Sequence, residues 1–151
     1  MKASELRIGN IVTVNNPEFM PQLKGIPFKV YSISPVMSIK GNEWTYSIGL
    51  ISLNNNENIV LPLYSQFIEF LNPVRLTKEW LAKYNFTFKN SNICSPSKCW
   101  HEYEVFGNRM TDSIRMSLQS KDVVVYTIVN HVHELQNLNF SLTNSELQFT
   151  S

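Results

Sequence analysis

The chain has 151 residues, 43% hydrophobic and 12% aromatic, with 13 basic and 12 acidic side chains for a formal charge of +1. That length suits one domain or two small lobes, and a chain of this size buries roughly 70% of its unfolded surface, so no staple is required. Residues 1–90 hold nine basic and six acidic groups and residues 91–151 four and six, too even a balance for the clustered cations of a nucleic-acid binder; no apolar run approaches the roughly 18 residues of a membrane span.

Glu5-Leu6-Arg7-Ile8-Gly9-Asn10 reads as a turn leading into a short β-branched strand, Ile11-Val12-Thr13-Val14. After a loop holding Pro17, Pro21, Gly25 and Pro27, Phe28 to Ile33 reads as a second strand. Lys40-Gly41-Asn42 marks a turn. Trp44, Tyr46, Ile48 and Leu50 then alternate with Thr45, Ser47 and Gly49, the period of a strand with one buried face. Asn54-Asn55-Asn56 is a polar turn, Asn58 to Leu61 a returning strand, and Phe67 to Leu71 a further short extended or single-turn element. Several short strands separated by turn residues suggest a small curled antiparallel barrel, in an order that resembles a Src-homology-3-like barrel.

Thr77 is placed to cap a helix over Lys78 to Tyr84, with Leu76 and Leu81 as a hydrophobic staple and Glu79 at the positive end of the dipole. Trp80, Leu81 and Tyr84 form its predicted inner face. Phe86-Thr87-Phe88 reads as extended, and Asn90 to Lys98 as a polar loop. Strands follow over Trp100–Phe106, Ile114–Leu118 and Val123–Ile128, with turns expected at Gly107-Asn108 and Lys121-Asp122. From Val129 to Leu147, Val132, Leu135, Leu138 and Leu142 make an apolar helical stripe that Thr143-Asn144-Ser145 ends. The expected class is α+β: a barrel lobe over 1–75, then a lobe over 76–151 with a helix, a three-stranded antiparallel sheet and a C-terminal helix, the two sharing a core.

Three stretches, ELRIGN at 5–10, LTKEWLAKYNF at 76–86 and VHELQNLNFSLTNSEL at 132–147, resemble a group of small uncharacterised proteins of Bacteroidales phages, prophages and mobile elements. There the corresponding phrases run LRIGN, LTEEWLLKFGF and VHQLQNLYFALTGEEL. This chain has Asn85 and Asn144 where that group has glycine, and Asn139 where it has an aromatic residue. The resemblance implies a phage-associated protein and brings no activity or catalytic residue with it. Together with the start MKASELRIGN, which has no hydrophobic signal region, it sets the expected location as the cytoplasm of a bacterial host or the virion.

No chemistry is legible. Cys94, Cys99, His101, His131 and His133 are zinc-type ligands, but the cysteine spacing fits a knuckle only at its limit, and residues 131 and 133 of a helix diverge by about 200°. Glu102 and Glu104 share a strand face as any solvated pair does, and Cys99 beside His101 lacks an orienting third group. The five glycines match no phosphate-binding motif. The expectation is therefore a non-enzymatic interaction module with no cofactor or metal, binding a phage or host protein, with a virion accessory component or an antagonist of a host protein as its forms. His133, Glu134, Gln136 and Asn137 are candidates for contact, with a structural role favoured for the two amides. The aromatics Trp44, Tyr46, Trp100 and Tyr103 are the others. The alternative is a nucleic-acid binder using the barrel, for which Arg7, Lys24, Lys29, Lys40 and Lys83 would have to converge; an unrecognised enzyme is the weaker third reading.

Overall fold

The computed structural model describes residues 5–15, 21–37, 44–53, 60–63, 70–89, 92–94, 104–110, 113–120 and 123–149. The expected turns at 40–42, 54–56 and 121–122, and most of the element at 67–71, lie outside these residues. Two units emerge, Met1–Val74 and Arg75–Ser151, and the class is α+β, with strands in both units and, among the described residues, α-helices at Lys78–Lys83 and Val132–Thr143.

In the first unit the turn read from the sequence begins the fold. The Arg7 N–H donates to Asn10 Oδ1 at 2.7 Å, Gly9 takes φ 95°, and Gly9 N–H and the Asn10 carbonyl bond Val30 at 2.7 and 2.8 Å. Glycine is needed there because a Cβ resists positive φ. Strand β1 (Ile11–Val14) follows, then a 3-10 turn at Pro21–Leu23, β2 (Pro27–Met37), β3 (Trp44–Ser52), β4 (Val60–Leu63) and β5 (Leu71–Pro73). They form an open antiparallel sheet in the order β4-β3-β2-β1-β5, and among the described residues no pairing closes it into the expected barrel.

Strand β2 is longer than the sequence suggested and is broken by a bulge. Val30 pairs with Leu50 and Ser32 with Gly49, leaving Tyr31 as the extra residue. A Cβ on Gly49 would run into the Tyr31 ring and the Ser32 hydroxyl, so only glycine lets Tyr31 fold over the sheet at this point. The bulge brings Val30 and Ile33, three apart, onto one face. The core is built from Leu6 and Leu23, Val12 and Val14 of β1, Phe28 and Val30 of β2, Ile48 and Leu50 of β3, and Leu71. Removing a ring such as Phe28, fully buried, would cost about 3–5 kcal/mol.

The second unit opens with helix α1 (Lys78–Lys83). Thr77 caps it, accepting from the Trp80 N–H at 3.4 Å, and Leu76 and Leu81 are buried as the staple requires. It ends in a Schellman motif: Asn85 is left-handed at φ 61°, and the N–H groups of Asn85 and Phe86 donate to Ala82 and Leu81. Leu81 and Tyr84 are buried as expected. Trp80 is only half-buried, its ring 6.0 Å from that of Phe149 with the Lys83 ammonium 4.6 Å above it.

The sheet of this unit has five strands rather than three: β6 (Thr87–Lys89), β7 (Asn92–Cys94), β8 (Glu104–Met110), β9 (Ser113–Ser120) and β10 (Val123–Val129), in the order β10-β9-β8-β7-β6. Two expectations are corrected by the register. The stretch read as a polar loop contains β7, paired with both β6 and β8. Gly107-Asn108 is not a turn but mid-strand: Gly107 lies in a row between Ile93 and Met116, both buried, and pairing runs on to Met110 and Ser113.

Helix α2 (Val132–Thr143) is the last helix or strand among the described residues. At its start the Glu134 carboxylate accepts from the N–H groups of Asn130 and His131 at 2.7 and 3.1 Å, the return arm of a capping box. At its end Asn144 takes φ 51° and its N–H donates to the Phe140 carbonyl at 2.8 Å. The buried face is centred on Val132, Leu135, Gln136 and Asn139, with Leu138 and Leu142 only half-buried. The apolar stripe therefore sits to one side of the face that is buried, and three polar residues, His133, Gln136 and Asn139, lie within the buried set.

Candidate interaction surfaces

The outer part of the β2–β3 hairpin carries apolar side chains past the core. Pro35 pairs with Tyr46 and Met37 with Trp44, continuing the row in which Ile33 pairs with the buried Ile48. Cross-strand partners share a face, so the inward face of the sheet extends outward along this arm. There it meets solvent: Tyr46 is 50% and Met37 57% exposed, and Pro35 is exposed as well. The period-two reading placed Tyr46 with Ile48 and Leu50 on a buried face. The face is right and the burial is not, because the core ends at Ile48. Trp44 is described by its backbone pairing alone, and Trp100 and Tyr103 lie outside the described residues.

A second exposed apolar row lies on β10, where Val124, Tyr126 and Ile128 are 47%, 73% and 56% exposed. The sequence presents Val123–Ile128 as a continuous apolar run, which does not separate a central strand from an edge strand.

No family model, no curated protein and no solved structure matches the chain. The surfaces must be read from their own chemistry.

The candidates on α2 divide. His133 and Gln136 are buried, which withdraws their side chains from contact with a partner. Glu134 and Asn137 are half-buried, and Glu134 is committed to the helix start. Its partial burial would raise the carboxyl pKa, but bonds from the His131 side chain and from the main chain of Asn130 and His131 hold it below its ordinary value. Tyr84 moves the other way: burial, and after it the Glu146 carboxylate, push its hydroxyl well above the usual tyrosine range.

The histidine geometry differs from expectation. His131 is extended, at φ −129° and ψ 155°, because it is the N-cap rather than a helical residue. The helical divergence therefore does not apply, and the rings of His131 and His133 stack with centroids 5.7 Å apart. His131 Nδ1 donates to Glu134 Oε1 at 2.9 Å. Among the described residues no group of three metal-ligating side chains forms; Cys99, His101 and Glu102 lie outside them, and Cys94 and Glu104 are placed by strand register alone. No helix among those residues is long and apolar enough to cross a membrane.

Of the cations required by the nucleic-acid reading, Arg7 is half-buried in the opening turn, and Lys24 and Lys29 are exposed around β2. Lys83 belongs to the second unit, where its ammonium lies over Trp80 and Phe149. Lys40 lies outside the described residues.

Proposed function

We propose that the chain is a non-enzymatic protein-interaction module of phage or mobile-element origin, working in the bacterial host cytoplasm or the virion as an accessory component or as an antagonist of a host protein. The exposed apolar face of the β2–β3 arm carries this reading. Pro35, Met37 and Tyr46 extend a buried face into solvent on two paired strands. Hot spots of protein interfaces draw on such aromatic anchors, and contiguous exposed apolar surface marks interaction sites. The phage origin rests on the resemblance of the three stretches given above.

For the first unit we infer a Src-homology-3-like architecture. Its support is the strand order β4-β3-β2-β1-β5, the bulge in β2 and the 3-10 residue Phe70 leading into β5. Folds of this type serve many functions, so the architecture does not choose the partner.

The test is affinity purification of tagged wild-type protein and of a Met37→Lys, Tyr46→Lys variant, side by side, from host cells with nuclease treatment. A stoichiometric protein partner held by the wild type and lost from the variant is expected. Recovery that depends on nucleic acid would transfer the assignment to a nucleic-acid binder, and a partner retained equally by both proteins would sink the arm as its site.

A further inference from the structure

Sheet edges are normally protected against pairing by short length, proline or charge. Three of the four edges here follow that rule. Strand β4 carries Pro62, β5 is three residues long and carries Pro73, and β6 is three residues long and carries Lys89. Strand β10 has seven residues, Val-Val-Val-Tyr-Thr-Ile-Val, with no charge, proline or glycine, and its register with β9 runs from Val123 to Val129 without a bulge.

Among the described residues the outer edge of β10 is covered at its C-terminal end. The Leu76 N–H donates to the Asn130 carbonyl at 2.8 Å, and Arg75 bridges His131. That bond sets the phase of the strand. Because N–H and C=O groups alternate between the two sides of an antiparallel strand, Ile128, Tyr126 and Val124 turn theirs outward with Asn130, whereas Val129, Thr127 and Val125 turn theirs to β9. Among the described residues nothing pairs with that edge from Val123 to Ile128.

We propose that this edge binds the same edge of a second copy of the chain, antiparallel and centred on Tyr126. The strand fits itself. With Tyr126 opposite its own copy, Val124 lies opposite Ile128 and Val123 opposite Val129, so each strand ends where Leu76 stops the other. The exposed row then forms Val–Ile, Tyr–Tyr and Ile–Val pairs, the β-branched and aromatic combinations that stabilise cross-strand neighbours, with no like charges opposed. About six main-chain hydrogen bonds close between the copies, and the two sheets become continuous. Two such rows bury less than the roughly 1,200 Å² of a standard interface, so the dimer forms reversibly with concentration. This pairing uses a different strand from the arm and does not rest on the partner assignment.

Sedimentation velocity of the full chain between about 1 and 300 μM tests it. The wild type should pass from monomer to dimer across that range, and Tyr126→Lys should weaken association at least tenfold with an unchanged far-ultraviolet spectrum. A second experiment covers the event that the lysine variant misfolds. In a Cys94→Ser, Cys99→Ser background, Tyr126→Cys should form a covalent dimer on mild oxidation, because residues in a hydrogen-bonded antiparallel pair lie about 5.5 Å apart at Cα, within disulfide reach. Thr87→Cys, on the opposite edge, should not. A wild type that stays monomeric at about 300 μM, or crosslinking at 126 no faster than at 87, would overturn the proposal and leave the edge to a strand of another protein.

Discussion

Asn85 and Asn144 are the described non-glycine residues with positive φ, at 61° and 51°, and each stops a helix. A left-handed residue bearing a Cβ costs about 1–2 kcal/mol, less for asparagine, whose short amide tolerates the region. Replacing either by alanine should therefore destabilise its unit by about 1 kcal/mol. Glycine should be neutral or stabilising by about 0.5 kcal/mol, because relief of strain is offset by a freer unfolded chain. The two asparagines bond different carbonyls, Ala82 and Phe140, so the costs of a double alanine variant should add to about 2 kcal/mol. Urea melts followed by circular dichroism resolve differences of this size. Alanine as stable as glycine at either site would refute the left-handed helix stop there.

Glu134→Ala removes the carboxylate that accepts from Asn130 and His131 and should cost about 1 kcal/mol. Since the folded carboxyl pKa is lowered, that contribution is present above the ordinary carboxylate pKa and lost as pH falls through the folded value; a stability curve measured against pH should show an acid limb in the wild type that the variant flattens. The Tyr84 hydroxyl is buried with no hydrogen-bond partner among the described residues, so Tyr84→Phe should stabilise by about 1 kcal/mol in a thermal melt. The Tyr84 pKa is raised on folding, so its contribution is fully present below the ordinary tyrosine pKa and is lost as pH rises through the raised folded value; the phenylalanine variant should resist alkaline unfolding better than the wild type. Gly49→Ala should cost about 1–3 kcal/mol, read by denaturant titration, because the added methyl displaces the Tyr31 ring from the bulge.

Local signals were legible in the sequence wherever one residue type has one structural use. Gly9-Asn10 makes a turn, Thr77 caps α1, and Asn144 stops α2, each through the group expected of it. The stretches at 5–10, 76–86 and 132–147 contain this punctuation. Signals that depend on tertiary neighbours were misread. Gly107-Asn108 has the composition of a turn, but its place between Ile93 and Met116 is fixed by pairing with strands on both sides. Ile93 alone could not announce β7, since a three-residue strand is too short to show a period. Periodicity assigned Tyr46 to its correct face without indicating where the core stops along that face. It also could not show that Val124, Tyr126 and Ile128 lie on an edge, because strand order is set by pairing partners. His131 and His133 approach each other because the first is a cap, a one-residue displacement of the helix start that no helical wheel captures.

Once a partner is isolated, the most direct measurement is its affinity for wild-type and Tyr46→Lys protein by isothermal titration calorimetry at about 0.1 and 0.5 M salt. An apolar arm contact predicts binding that changes little with salt, a negative heat-capacity change, and at least tenfold weakening by the lysine. Affinity that falls steeply with salt and is indifferent to Tyr46→Lys would contradict the interaction module proposed for this chain.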